Sequence, residues 1–377
     1  MGKPLYVLLL ILGIAINLNL EAQDKPKKLS VFRDSLDHAI DISDWLVNKK
    51  GVLIVPTIIT EPAVGYGIAG AAIFFHSSYS EKKGPPSMTG VLGGGTLNGT
   101  WAAGAFHAGF WKQDKIRYMG AAAKIYANLD FYGSGDAALI GDEPVNMNLD
   151  AWFLLQQIKF RIAGSDFFIG GSYLLLMTDN TFEIPIDIPE FTGTEFSSTL
   201  SEVSLKLELD SRNNIFTPTK GVFIGLNGTY SDTWLGSDDL YGRIGVTILG
   251  YLPAGRKLNL GVRHETNYTL GNIPFYARPI VNLRGAPLMK YQDSHTMVME
   301  AELSYNVFKR WFISGFTGMG NAFSSLEDFK SGKSVSTYGT GFRYLIARKL
   351  GTNMGMDFAW SMDDFAFYIV FGTAWLK

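Results

Sequence analysis

Glu300 and Glu302 stand two residues apart, and paired carboxylates are common equipment for general acid and base work. Their setting argues for another role. Met299, Ala301, Leu303, Tyr305 and Val307 alternate with Glu300, Glu302, Ser304 and Asn306, so the two acids read as the watery face of a strand. The remaining chemistry-bearing residues exclude more than they suggest. His38, His76, His107, His264 and His295 are scattered without the paired spacing of a zinc motif. No Gly-x-Ser-x-Gly elbow is present. Gly65-Tyr66-Gly67-Ile68-Ala69-Gly70 matches a dinucleotide fingerprint only formally, because Ala71 to Ser77 reads as further strand where that motif opens a helix. No catalytic site, metal or cofactor is therefore expected. Asp357 shares this inward-facing parity with Glu300 and Glu302.

The elements that position these residues follow from a two-residue period. Val203, Leu205, Leu207 and Leu209 oppose Ser204, Lys206, Glu208 and Asp210, while Met354, Met356, Phe358 and Trp360 oppose Asn353, Gly355, Asp357 and Ala359. Asn259, Arg263, Glu265 and Asn267 form the polar side of 258–268, where His264 falls on the lipid-facing parity. Soluble sandwich strands run to about 5 or 6 residues, whereas a bilayer crossing needs about 9 to 11, the length that 258–268 and 299–307 reach. Residues 51–377 divide into roughly sixteen such strands at about 20 residues per strand and turn. Trp311 to Phe323 alternates poorly, since Phe312 and Phe316 share a face with Ser314 and Gly318. The expected fold is all-β: a transmembrane antiparallel β-barrel of 16 strands with a short N-terminal periplasmic helix.

Composition agrees with a membrane barrel. The chain of 377 residues has 17 Tyr, 26 Phe, 8 Trp and 42 Gly, as interfacial aromatic belts and alternating strands require. A net charge of −2 gives no basic surface for nucleic acid. Beyond residue 22 the best apolar run, Gly67 to Phe75, is about half the length of a spanning helix. Residues 1–22 read as a signal peptide, with Lys3, an apolar stretch from Leu5 to Leu18 and a cleavage site at Leu20-Glu21-Ala22. In 23–50, Phe32, Leu36, Ala39 and Leu46 can line one face of a helix and Asp37, Asp41 and Asp44 another, with Lys49 and Lys50 at its end. This segment fits a linker helix, a plug in the lumen or a docking element equally.

Three motifs carry a resemblance to the bacterial surface antigen barrel of the BamA/TamA-type outer-membrane superfamily. Asp210-Ser211-Arg212-Asn213-Asn214, followed by Pro218 and Gly221, resembles the family's strand-end motif, though a local ion pair between Asp210 and Arg212 suffices to explain it. Asn282-Leu283-Arg284-Gly285 resembles the Arg-Gly signature at the tip of a long loop that folds back into the lumen. Gly339-Thr340-Gly341-Phe342-Arg343, with Asp357 and Ala359, resembles the closing strands. The likeness is good over 200–377 and one of style before it, where Thr60-Glu61-Pro62 and Phe131-Tyr132-Gly133 fit short barrels of the group. The family commonly has an acid around Gly318, and many outer-membrane barrels end on an aromatic where this sequence ends Trp375-Leu376-Lys377. The resemblance implies that Arg284 reaches into a partly dehydrated lumen, where it needs a carboxylate: Asp357 is the first choice, beside Glu300 and Glu302, and Gly285 would let the backbone turn tightly there. The loop then either gates the lumen or merely pins it. It also implies a role in inserting or transferring proteins or lipids at a seam between first and last strands, with a short member lacking periplasmic receptor domains. The expected setting is the bacterial outer membrane, with its lipids as partners and an envelope protein or unfolded barrel client beside them. A passive channel or solute transporter, and a scaffold subunit docked through 25–50, are the other roles the sequence allows.

Overall fold

The computed structural model describes residues 32–48, 52–60, 64–76, 86–131, 145–183, 195–271, 273–287, 289–362 and 364–375. The expected signal peptide at 1–22, Lys49, Lys50, Glu61, Pro62, Tyr132, Gly133, Leu376 and Lys377 lie outside them. Among these described residues one short helix, α1 (Ser43–Asn48), precedes sixteen strands. These are β1 (Val52–Ile59), β2 (Gly67–Phe75), β3 (Met88–Thr96), β4 (Trp101–Trp111), β5 (Ile116–Phe131), β6 (Val145–Arg161), β7 (Phe167–Glu183) and β8 (Glu195–Asp210), then β9 (Gly221–Ser231), β10 (Tyr241–Pro253), β11 (Leu258–Gly271), β12 (His295–Phe308), β13 (Trp311–Phe323), β14 (Lys333–Ala347), β15 (Thr352–Trp360) and β16 (Phe365–Phe371). They pair antiparallel in sequence order as one sheet, which curls into a transmembrane barrel.

Alternation explains which side chain faces where. Leu205 and Leu207 are exposed on the outer wall, whereas Lys206 and Glu208 point the other way, and Glu208 takes Lys159 of β6 at 2.7 Å. On β12 Met299, Leu303, Tyr305 and Val307 are exposed and Glu300 is buried. β13 alternates after all, with Trp311, Ile313 and Met319 outside and Ser314 and Phe316 buried. Its inner face carries an aromatic because a cation lies on it, as described below. The formal dinucleotide fingerprint runs into β2, so no helix follows it. His76 and His107, far apart in sequence, meet on the outer wall through Thr89, whose hydroxyl is 2.6 Å from His76 Nε2 and 2.7 Å from His107 Nδ1.

β5 to β8 have 16 or 17 residues, but the strands that must close the barrel are short: 8 residues in β1 and 7 in β16. Among the described residues no backbone ladder joins these two strands. Thr60, just past β1, instead uses its hydroxyl on both polar groups of Phe367, donating to the carbonyl and accepting the N–H at 3.2 Å. Pro56 is paired with Gly70 in an unbroken β1–β2 ladder, so its donor-less nitrogen faces the seam.

Residues 32–48 lie at the end of the barrel that carries the shortest turns. The extended amphipathic helix expected here is replaced by a tight turn, with Arg33 bridged to Ile40 and His38 at φ +58°, and only α1 is helical. The apolar face is also reversed: Phe32 and Leu36 are exposed while Asp34 and Asp41 are buried. The reason is Arg310, in the two-residue turn between β12 and β13. Its guanidinium donates to Asp37 at 2.7 Å and Asp41 at 2.6 Å and also to Asp34, which Arg348 grips from the next turn. Behind this clamp Leu46 of α1 packs with Leu53 of β1, Ala347 and Leu350, against Phe371 of β16. The segment therefore straddles the seam at this end.

The clamp gives a pH prediction. The Arg348 bond to Asp34 and the Arg310 bond to Asp37 hold both carboxyls below the usual range. Burial pushes Asp41 up, but bonds from Ser43 and Arg310 outweigh it and leave it lowered as well. Carboxyls depressed in the docked state contribute docking strength above their ordinary value of about 4, and that strength is lost as pH falls through the lowered values. Hydrogen-exchange protection of the Ile42 amide, bonded to Ile346 at 2.9 Å, should stay level from about pH 8 to 5 and fall only below about 4. Arg310→Ala should remove it at every pH; protection that titrated near neutrality would contradict this account.

Candidate functional site: an arginine held inside the barrel

The connection between β11 and β12 is the longest in the second half of the chain, and it enters the lumen instead of leaving the membrane. A bridge between Ile280 and Gln292 and the bond from Val281 N–H to Tyr291 O, 2.8 Å, make its two arms a narrow hairpin. Val281, Leu283 and Ala286 pack on Val298, Ala322 and Val335 of the wall. The wall is hollowed to receive them: a Cβ at Gly318 would stand 2.7 Å from Leu283, and one at Gly320 would overlap Val281. This is the physical use of glycine at these two wall positions. Gly285 takes φ +89°, its N–H donates to the Tyr368 hydroxyl at 3.0 Å, and a Cβ there would lie 3.1 Å from Ala359.

That turn delivers Arg284 to three carboxylates. Its guanidinium donates to Glu300 at 2.8 Å, to Glu302 at 2.7 Å and to Asp357 at 2.7 Å, and stacks 3.6 Å from the centre of the Phe316 ring. The side chain is 9% exposed, and those of Glu300 and Asp357 are fully covered. Asp357 also accepts from Arg343 at 2.9 Å, and Glu300 from Arg263 at 3.2 Å, whose other arm holds Glu265 at 2.6 Å. Gly339 and Gly341 explain themselves here, since a Cβ at the first would overlap Phe316 and at the second Asp357. Charges removed from water cost several kcal/mol each unless paired, so three arginines and four acids must assemble together.

The strand-end motif lies elsewhere, at the turn end of β8. Asp210 accepts from Arg212 at 2.8 Å and from Arg117 of β5 at 2.7 Å. Arg117 continues to Asp114 at 2.8 Å, and Arg161 reaches the same acid. The two guanidinium groups lie 4.1 and 4.4 Å from the ring of buried Phe168. Pro218 is buried, and Gly221, at φ +106°, brings the chain back against Ser211 to begin β9. Asn214 donates to Leu350 O at 2.7 Å and Thr217 accepts from Asn353 N–H at 3.2 Å, so residues 211–220 cross the mouth of the barrel to its far wall. A cavity of about 390 Å³ remains between this strap and the arginine cluster, lined by Tyr251, Asn259, Glu302, Arg343 and Asn353 among others.

Sequence reasoning named Arg284, Glu300, Glu302, Asp357 and Arg343, and the structure brings them into one cluster. Asp210, Arg212, Pro218 and Gly221 form a second group. Phe316 and Trp375 were missed as members of the first, and Asp114, Arg117 and Arg161 as members of the second. Inward parity at the turn ends of β5 and β6 could have found Arg117 and Arg161; nothing in the sequence pattern pointed to Trp375.

An antiparallel 16-stranded membrane barrel with a loop pinned in its lumen is the class defined by this geometry, and comparison shows what it is similar to. The Omp85 superfamily domain is matched over residues 134–280. That span covers β6 to β11, reaching further into the first half than the motifs do and stopping short of Arg284. The fold is similar to BamA from Haemophilus ducreyi lacking POTRA domains 1-3, with TM-score 0.55 and 13% identity over 86% of this chain and 70% of that one. It is also similar to CdiB from Escherichia coli, with TM-score 0.57 and 11% identity over 84% of this chain and 62% of that one. CdiB from Acinetobacter baumannii gives TM-score 0.55 and 7% identity, over 85% and 59%. The chain thus spans less than two thirds of either CdiB. No curated protein matches the sequence. Over residues 134–280 the chain thus matches the Omp85 superfamily domain, and its fold is similar to the barrels of BamA and CdiB.

Removing one side of a buried pair costs about 3 to 5 kcal/mol. Arg284→Ala should therefore lower stability by about that amount in reversible denaturant unfolding in detergent, and Arg212→Ala by less, since Asp210 keeps Arg117. Equal losses would mean that the lumen cluster is no more desolvated than the turn-end one.

Proposed function

We propose that this barrel serves outer-membrane biogenesis, inserting or translocating a protein or lipid client along the seam between β1 and β16. The observation that carries the reading is the construction of that seam. Fifteen neighbouring strand pairs are zipped by backbone ladders, whereas the sixteenth contact rests on Thr60 and faces the donor-less nitrogen of Pro56. A ladder missing several hydrogen bonds is the cheapest place to part a barrel wall. The pinned loop supports the same reading, because a passive channel needs an open lumen, and here the Arg284 hairpin and the 211–220 strap occupy it. Outer-membrane residence, export by a signal peptide and a client or envelope partner belong to this proposal.

The test is the folding rate of a denatured client barrel into liposomes with and without the protein. The chain has no cysteine, so Thr60→Cys with Phe367→Cys can be bridged by a cleavable thiol crosslinker without interference. Acceleration by the wild type, lost on bridging and recovered on cleavage, is the expected result. Acceleration that survives the bridge would remove the seam from the mechanism, and no acceleration by the wild type would remove the insertase reading. Planar-bilayer recordings should show no steady open-pore conductance for the wild type, and openings for Arg284→Ala.

A further inference from the structure

Beyond β16 the chain turns away from the wall and into the lumen. Gly372 takes φ +80° and donates its N–H to Asn353 O at 2.7 Å, and a Cβ there would overlap the backbone of Phe216. Three residues later Trp375 is 4% exposed, packed among Phe223, Leu249 and Tyr251. Its indole N–H donates to Glu300 Oε2 at 2.6 Å. Gly261 of β11 makes the space, since a Cβ at that position would stand 2.8 Å from the Trp375 ring.

We propose that Trp375 is a positioning residue, a hook that ties the end of seam strand β16 to the β9–β12 wall through Glu300. β16 has 7 residues and one ladder, to β15; its other edge has Thr60. A strand so lightly held gains most from an anchor at its end. The anchor point is also not neutral ground. Glu300 gives Oε1 to Arg284 and Oε2 to Arg263 and Trp375, and the Arg284 guanidinium lies 5.8 Å from the Trp375 ring. One covered carboxylate thus serves both the loop and the seam strand, and loosening either donor admits water to the other. The inference concerns how β16 is held, and it stands whether or not the barrel inserts clients.

Accessibility of the hook can be read with a single cysteine, Ala374→Cys, in the otherwise cysteine-free full chain in liposomes. Gly261→Ala, which alters neither β16 nor Glu300, and Trp375→Phe, which keeps a ring and removes the donor, are the test variants. Each should raise the rate of maleimide labelling at 374 about tenfold, the change that about 1.4 kcal/mol brings. In the Thr60→Cys, Phe367→Cys background each should also lower the yield of the seam crosslink. Unchanged labelling would overturn the hook. Faster labelling with a wild-type crosslink yield would reduce Trp375 to lumen filler and equally overturn the proposal. If Gly261→Ala fails to fold, as judged by heat-modifiable electrophoretic mobility, Trp375→Phe decides alone. No client takes part, so the result is independent of the insertion assay.

Discussion

The interior of this barrel is organised around one desolvated cation. Arg284 reaches its place only if the loop folds inward, and it remains there only if Glu300, Glu302 and Asp357 are already facing it. Each of those acids is on a strand whose opposite parity meets lipid, so strand register and the ion cluster specify each other: a one-residue slip would put carboxylates into hydrocarbon. The glycines along β13 and β14 follow from the same demand. They thin the wall where Leu283, Val281, Phe316 and Asp357 must lie.

A second constraint acts where the sheet meets itself. Closing a barrel removes both sheet edges, yet here the closure is left sparse, with a proline on one edge and a threonine hydroxyl substituting for ladder bonds. The consequence is a wall whose stability is uneven around its circumference. The acidic turn of residues 34–41, clamped on Arg310, and the packing of α1 across β1 and β16 lie at one end of the same weak line. Trp375 acts on it from within. Features that look unrelated in sequence, three aspartates near the start and an arginine in a two-residue turn some 270 residues later, meet at one place.

The lumen is filled from two sides by different means. The 281–286 hairpin enters with an apolar body and a charged tip, and needs buried partners for both. The 211–220 strap crosses the other mouth through side chain to backbone bonds from Asn214 and Thr217, which tolerate water. The first is all-or-none, because a half-withdrawn Arg284 would strand several acids; the second can yield locally.

Much of this was determined by the sequence alone. Period-two alternation in 203–210, 258–268, 299–307 and 353–360 is a local property, because neighbouring side chains on a strand must face opposite media, and it was enough for the barrel and the inward acids, while the strand number came from dividing residues 51–377 at about 20 residues per strand and turn. Arg284 with Gly285 was legible only through the resemblance of residues 282–285 to the family's loop signature, since an arginine beside a turn glycine is by itself ordinary surface chemistry. Other features depended on contacts between residues far apart in the chain. Phe316 made β13 look irregular until the guanidinium above it was known. The 32–42 segment carried a helical pattern, but Arg310, some 270 residues away, reversed which face is buried by supplying a charge for Asp34, Asp37 and Asp41. Trp375 has no periodic neighbours at all, and only the space above Gly261 and the free side of Glu300 placed it. Alternation is set by the adjacent peptide and can be read from it. Ion-pair choice and lumen filling are set by three-dimensional proximity, which the closed barrel alone creates.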